Sequence, residues 1–340
     1  MKKVSVVILN WNGAEMLRAF LPSVVKFTNN EVAEVCVADN GSTDNSVDVV
    51  GNEFPSVRLI AFAENYGFAE GYNRVMEFLD TEYVVLLNSD VEVTENWIEP
   101  ILAFMEANPD VAACQPKILA YKDKERFEYA GAAGGYIDKY GYPFCRGRIF
   151  DTVETDDGQY DVPAEVFWAS GAAMFVRRAL YMEAGGLDSR FFAHMEEIDL
   201  CWRFLSRGYR LMCIPASKVY HVGGATLKKE NPKKTYLNFR NNLLMMYKNL
   251  SSDELNGVMR VRCALDLLAV MFYLLKLDMA NAKAVINARR DYLAMRDEFK
   301  KDREENLKLT VNRKIKYRYD FSIILKCKLL GKTTYSQLLE

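Results

Sequence analysis

The stretch VSVVILNWNG, residues 4–13, decides the fold: an apolar, largely β-branched run from Val4 to Leu9 gives way at once to Asn10-Trp11-Asn12-Gly13. Such a run, bounded by turn-forming residues, reads as a buried strand. Two similar runs, Glu34–Ala38 and Tyr83–Leu87, and a shorter one, Val57–Phe62, follow it. Helix-like stretches lie between them, around Ala14–Lys26, Asn45–Phe54 and Glu70–Leu79. This alternation predicts βαβ units, and hence an α/β protein with a parallel sheet and helices on its faces.

In such sheets ligands gather at the carboxyl ends of the strands. Those ends are polar here: Asn10-Trp11-Asn12-Gly13 after the first strand, Asp39-Asn40-Gly41-Ser42-Thr43-Asp44 after the second, and Asn88-Ser89-Asp90 after Leu87. A fourth polar segment, NYGFAEGYN (residues 65–73), leads into a helix, and its glycines allow close backbone approach. Further on, the Gly- and aromatic-rich segment from Ala130 to Gly147 and the acidic Asp151–Asp161 read as a loop or hairpin excursion over the active face. Val166–Val176 resumes a strand pattern. Glu196–Leu205 reads as a helix closed by Gly208, with Asp199 and Arg203 four residues apart and able to pair. Beyond Tyr236 the pattern is helical to about Lys308, with Leu265, Leu268, Ala269, Phe272 and Leu275 on one stripe.

The chain has 340 residues, more than one small core usually holds, so one large or two moderate domains are expected. Hydrophobic residues make up 50% and charged residues 26%, a composition that folds rather than stays disordered. The net charge of −2 argues against a nucleic-acid partner, although it is unevenly distributed: residues 281–340 carry 15 basic and 8 acidic side chains. Seven cysteines without a CxxC pair suggest neither a disulfide framework nor a zinc site, and point to a reducing, cytoplasmic setting. The amino-terminal apolar run is too short for a signal segment, and the longest apolar stretch, Leu267–Leu275, falls well short of the roughly 20 residues that cross a bilayer.

A dinucleotide dehydrogenase would need GxGxxG after the first strand, where NWNGAEM stands instead. The ordered series VSVVILNWNG, VADNGSTDNS, ENYGFAEGYN, LLNSDVEV, FWASGAAMFVRR, GGLDSRFFAHMEEIDLCWR and VYHVGG resembles another family. Over about Val4 to Asn242 the chain resembles the inverting glycosyltransferase family 2, and within it the rhamnosyltransferase-like members of polysaccharide assembly. The resemblance implies a GT-A-type, Rossmann-like, mostly parallel sheet. It would give a nucleotide-sugar domain over residues 1–240 and a helical, basic region over 241–340.

It also implies a site. Asp39 stands where the family binds the pyrimidine, and a carboxylate can accept a ring N–H; Asp44 reads rather as a turn or cap. Asn10, Asn12, Asn65, Gly67, Asn73, Asn88 and Ser89 are expected to line the donor. The family's metal motif, usually two carboxylates flanking one residue, is Asn88-Ser89-Asp90 here, so Asp90 alone keeps the charge. His221 stands where a histidine can complete the site for Mg²⁺ or Mn²⁺, while His194 reads as a packed residue. The catalytic base corresponds to Glu197, a residue one methylene longer than the family's aspartate, with Glu196 able to share the task. Trp168, Gly171 and Asp199 are expected to face the acceptor; Arg240 and Asn241, after Lys228-Lys229 and Lys233-Lys234, are candidates for phosphate contacts.

The implied reaction is metal-dependent, inverting transfer of a sugar from a nucleoside-diphosphate donor, dTDP-rhamnose by subgroup, to a glycan or polyprenyl-linked acceptor. A nucleotidyltransferase is the alternative enzyme, but it should carry a basic, glycine-rich loop soon after the first strand, where NWNGAEM has neither Lys nor Arg before Arg18. A non-catalytic glycan-binding or scaffold protein with a decayed site is the other alternative, raised by Asn88 and Glu197. The basic, apolar-striped tail suits peripheral contact with the cytoplasmic face of a membrane, packing on the body, or a homo-oligomer.

Overall fold

A computed structural model of the chain describes residues 2–223 and 231–340. The main sheet begins as expected, with β1 (Val4–Asn10), β2 (Ala33–Asp39), β3 (Arg58–Ala61) and β4 (Tyr83–Leu87) running parallel in the order β3-β2-β1-β4. Between them lie α1 (Ala14–Phe27), α2 (Ser46–Glu53) and α3 (Gly67–Met76). Alternation along β1 drives layer formation: Val4, Val6 and Ile8 enter the apolar core that contains Leu17, Leu21 and Trp97, while Val7 enters the opposite one with Tyr72 and Met76. Both faces of the strand are therefore covered.

The sheet continues through β5 (Val91–Val93), α4 (Glu99–Ala107) and β6 (Val111–Ala120). A second sheet follows, built from β7 (Gly135–Asp138), β8 (Pro143–Cys145), β9 (Arg148–Ile149) and β10 (Thr152–Val153). The Gly- and aromatic-rich segment thus makes antiparallel hairpins rather than a bare loop. The chain returns to the main sheet with β11 (Ala164–Glu165) and β12 (Ala173–Arg177), the latter antiparallel to both β4 and β6. The expected single strand Val166–Val176 is interrupted, because Trp168 turns inward and only Ala173 onward pairs with β4.

After α5 (Arg178–Glu183) and α6 (Glu196–Ser206), the long β13 (Arg210–His221) runs parallel to β6 and pairs β5 on its other side. Helices α7 (Pro232–Asn249), α8 (Ser252–Leu275), α9 (Met279–Met295) and α10 (Lys300–Leu309) form the helical region. The expected boundary at residue 240 falls inside α7, whose Asn241 and Asn242 are buried against the first part of the chain. The remaining chain adds β14 (Arg318–Tyr319), parallel to β7, and then α11 (Ile323–Lys328) and α12 (Tyr335–Leu339). Tyr335 stacks on Tyr136 of β7 with ring centroids 4.9 Å apart, and Leu338 is fully buried, so this segment closes the second sheet.

Candidate active site

The register of the sheet fixes which side chains meet. Asn10 ends β1 directly beside Asp39 at the end of β2, and Asn10 Nδ2 donates to Asp39 Oδ1 at 3.0 Å. The other carboxylate oxygen of Asp39 accepts from Ser42 N at 2.9 Å. Asn12 sits in the left-handed region with φ 50°, where its Oδ1 accepts from Thr43 N at 2.7 Å. The two strand-end loops are thereby laced together. Asp44 accepts from Ala14 N at 3.1 Å and caps α1 from the neighbouring loop, the structural role the sequence suggested.

Asn40, which was not anticipated as a site residue, ties the next loop on. Its amide donates to Asn65 Oδ1 and Gly67 O, both at 3.0 Å, and its carbonyl accepts from Tyr66 N at 3.0 Å. Gly41 must be glycine: its φ is +71° and a Cβ would lie 2.5 Å from the backbone of Glu64. Asn65 and Gly67 therefore border the same edge as Asp39. Asn73 does not, for its side chain bonds Leu187 N and O and accepts from Tyr181 Oη at 2.6 Å. It joins α3 to the turn before α6 and is removed from the donor-lining set.

At the end of β4, Asn88 N donates to Ala172 O at 3.0 Å, which brings Asn88-Ser89-Asp90 against the segment leading into β12. His221 at the end of β13 reaches the same point, with Nε2 3.1 Å from Asp90 Oδ1 and 3.4 Å from Asn88 Nδ2. Glu128 stands on the far side of the ring, its Oε2 3.4 Å from His221 Nδ1. Nothing in the sequence around Glu128 signalled this. Burial opposes charge on His221, yet Asp90 and Glu128 together push its pKa up to about 10. Burial likewise works against the Asp90 carboxylate, but the hydrogen bond and charge of His221 outweigh it and hold its pKa below the usual value.

Helix α6 delivers the acidic pair. A Cβ on Gly171 would lie 3.6 Å from Phe68 and 3.9 Å from Glu197 Cβ, so Gly171 and Glu197 face each other, one residue from the Ala172 carbonyl that holds Asn88. Glu196 is buried, and one oxygen of each glutamate has no hydrogen-bond partner. Burial, then the neighbouring Glu197 charge, holds the Glu196 carboxyl well above its ordinary range; burial also raises Glu197. Two adjacent carboxyl groups so placed do not both ionise readily.

The turn before α6 is strained. Phe192, His194 and Met195 have φ of 66°, 71° and 76°, a conformation that costs non-glycine residues about 1–3 kcal/mol each. Asn241 of α7 holds it, its amide donating at 2.8 Å to the carbonyls of Phe191, Ala193 and His194. Arg240 donates to the carbonyls of Arg190 and Phe191. Arg240 and Asn241 thus shape this turn rather than reach for phosphate; Lys228 and Lys229 lie outside the described residues. Burial pushes the His194 imidazole down to about 4, in keeping with a packed residue.

Two acceptor-facing expectations are corrected. Trp168 is 4% exposed, its Nε1 donating to Tyr136 O at 3.0 Å and its ring packed on Gly135, so no sugar can stack on it. Asp199 is fully buried among Arg203 Nε at 3.1 Å, Lys248 Nζ at 2.9 Å and Asn249 Nδ2 at 2.8 Å. Its charge is neutralised inside the protein. A cavity of about 830 Å³ between α8 and residues 307–320, and one of about 350 Å³ beside residues 183–190, touch none of Asp90, Glu197 and His221. The site is an open edge recognised by its chemistry, not by enclosure.

The model of glycosyl transferase family 2 matches residues 5–179, just over half of the chain. The chain belongs to glycosyl transferase family 2. A relative from Mycobacterium tuberculosis, N-acetylglucosaminyl-diphospho-decaprenol L-rhamnosyltransferase, is 28% identical over 234 residues, covering 64% of this chain and 75% of the relative. Among solved structures, S. aureus TarS 1-349 in complex with UDP-GlcNAc aligns with a TM-score of 0.57 at 14% identity, over 91% of this chain and 89% of that one. GalNAc-T7 with UDP, GalNAc and Mn²⁺ gives a TM-score of 0.56 at 17% identity over 73% and 48%. These likenesses carry the GT-A fold, and this family 2 protein is a glycosyltransferase. Among its described residues no helix is long and apolar enough to cross a membrane.

Proposed function

We propose that the protein transfers a sugar from a nucleoside diphosphate donor to a hydroxyl of a glycan or polyprenyl-linked glycan acceptor, inverting the anomeric centre, with a divalent cation bound at Asp90 and His221. The observation that carries this reading is the convergence on one sheet edge of Asp39, the facing pair Asp90 and His221, and Glu197 opposite Gly171. Asp39, oriented by Asn10, accepts the N–H of the base. Asn12, Asn65, Gly67, Asn88 and Ser89 border the donor.

Among the described residues no three His, Cys, Asp or Glu side chains are arranged to hold a cation alone. One carboxylate and one imidazole, the latter giving up its proton to the ion, would fit a cation that draws its other ligands from phosphate oxygens and water. Asp90 and His221 would hold Mg²⁺ or Mn²⁺, which would supply positive charge beside the departing diphosphate.

Glu197 takes the proton from the attacking hydroxyl. Burial raises its pKa, which suits a base, and burial together with the Glu197 charge disfavours ionisation of Glu196 beside it. A single displacement from the face opposite the leaving group inverts configuration. The M. tuberculosis relative makes dTDP-rhamnose the first donor to try. The free state of all seven cysteines supports a cytoplasmic setting.

The test is release of nucleoside diphosphate from a panel of sugar nucleotides, with and without Mn²⁺. Turnover of one donor, lost in Asp90→Ala, is expected. Donor binding without turnover under any condition would instead favour a glycan-binding protein with a decayed site.

A further inference from the structure

Helix α8 is amphipathic in the wrong sense for a helix facing water. Its inward face carries Val258, Arg262 and Asp266, all buried, with Arg262 Nε donating to Asp266 at 3.1 Å and Arg289 of α9 reaching the same carboxylate at 2.8 Å. Its outward face carries Val261, Leu268, Met271, Phe272 and Leu275, which are 40 to 84% exposed. A surface helix normally does the reverse. The turn into α9 continues the apolar surface with Leu277 at 87% and Met279 at 65% exposed, and Leu267 and Leu274 widen it.

Charge identifies what this surface meets. From Arg260 to Lys283 the exposed charged side chains are Arg260, Lys276 and Lys283, all cations; Asp266 is buried, and Asp278 is turned back to accept from Asn281 N. On α9, Met279, Lys283, Ile286, Arg290 and Leu293 follow at helical spacing, all exposed, mixing apolar and cationic side chains. An apolar surface wrapped round the end of a hairpin and bordered by cations matches the boundary between anionic headgroups and acyl chains. Protein interfaces are depleted in lysine, whereas Lys276 and Lys283 border this surface.

We propose that the α8–α9 hairpin seats the protein on an anionic lipid bilayer, with Leu275, Leu277 and Met279 inserted below the headgroups and Lys276 and Lys283 among them. Tyr273, near the inserted tip, hydrogen-bonds to Thr235 at the start of α7 and so ties the hairpin to the helix that follows the main sheet. The inference is independent of the donor and the base assignment: its failure would leave sugar transfer untouched.

The test is flotation of the full chain with phosphatidylcholine vesicles, plain or containing one-quarter phosphatidylglycerol, alongside light scattering to read oligomeric state. The wild type is expected to float with the anionic vesicles, less so at high salt. L275E/L277E and K276E/K283E are each expected to lower the bound fraction about tenfold or more while melting as the wild type does. An L275W variant should show a blue-shifted emission with anionic vesicles alone. A wild type that does not float, variants that float equally well, or a lipid-indifferent dimer split by L275E/L277E would each overturn the proposal.

Discussion

Helix α6 carries three acidic residues in its first turn, and they have opposite fates. Glu196 and Glu197 each keep one buried oxygen without a hydrogen-bond partner, and Glu197 lies against Gly171, whereas Asp199, two residues on, is enclosed by Arg203, Lys248 and Asn249. A carboxyl group on the same helix is left without a hydrogen-bond partner in one place and locked by two cations in the other. The difference comes from α7: Lys248 and Asn249 reach Asp199, while Asn241 of the same helix forms the turn that presents the glutamates.

The largest expected effect lies on the locked side. Asp199→Ala strips the carboxylate from buried Arg203 and leaves buried Lys248 with Asp188 alone as counter-charge, and should cost about 3–5 kcal/mol of stability, read by chemical denaturation. A variant as stable as the wild type would break the contrast. On the available side, Glu197→Gln should lower turnover by about 10²-fold or more, near 2.7 kcal/mol, with donor affinity nearly intact. If Glu197→Gln is fully active and Glu196→Gln is dead, the base is Glu196.

Asn241→Ala removes three hydrogen bonds from a strained turn. A loss of roughly 1–3 kcal/mol in stability, with turnover falling more than donor affinity, is expected from steady-state kinetics and melting together. The smallest effect is at Glu196. Between the ordinary glutamate pKa of 4.5 and the raised folded value, the native protein holds a proton that the unfolded chain has lost, so this group's stabilisation, complete below 4.5, fades as pH rises. Glu196→Gln, which mimics the protonated form, should therefore keep most of the turnover and raise Tm relative to wild type at alkaline pH but not below pH 4.5.

Periodicity carried the fold where structure is local. The runs beginning at Val4, Glu34 and Tyr83 became β1, β2 and β4 to within two residues at their ends, because strands buried on both faces leave an uninterrupted apolar signature. Strand-end position also made Asn10, Asp39 and Asp90 legible. Which way a side chain turns was not: Trp168, Asn73 and Asp199 sit next to cleft residues in the chain, yet point into packing contributed by β7, residue 187 and α7. Glu128 escaped, and Asn241 was read as a phosphate contact rather than a turn holder, for the same reason, since their partners lie 93 and about 50 positions away. The stripe on α8 was visible as a pattern, but its outward orientation depends on the buried pairing of Arg262 with Asp266 and is a tertiary fact.

The parallel pairing of β14 with β7 has a bearing on biogenesis. Strand β7 is bridged at Gly135 by Trp168, but among the described residues the second neighbour of Ile137 and Asp138 comes only from Arg318 and Tyr319, and the stacking partner of the Tyr136 ring only from Tyr335. During translation, with residues added at about 5–20 per second, the aromatic side of that hairpin stays uncovered from the time β7 emerges until nearly two hundred further residues have been made. A ribosome stalled within α9 or α10 would hold a nascent transferase with its main sheet complete and this surface open, the state in which a chaperone has most to do.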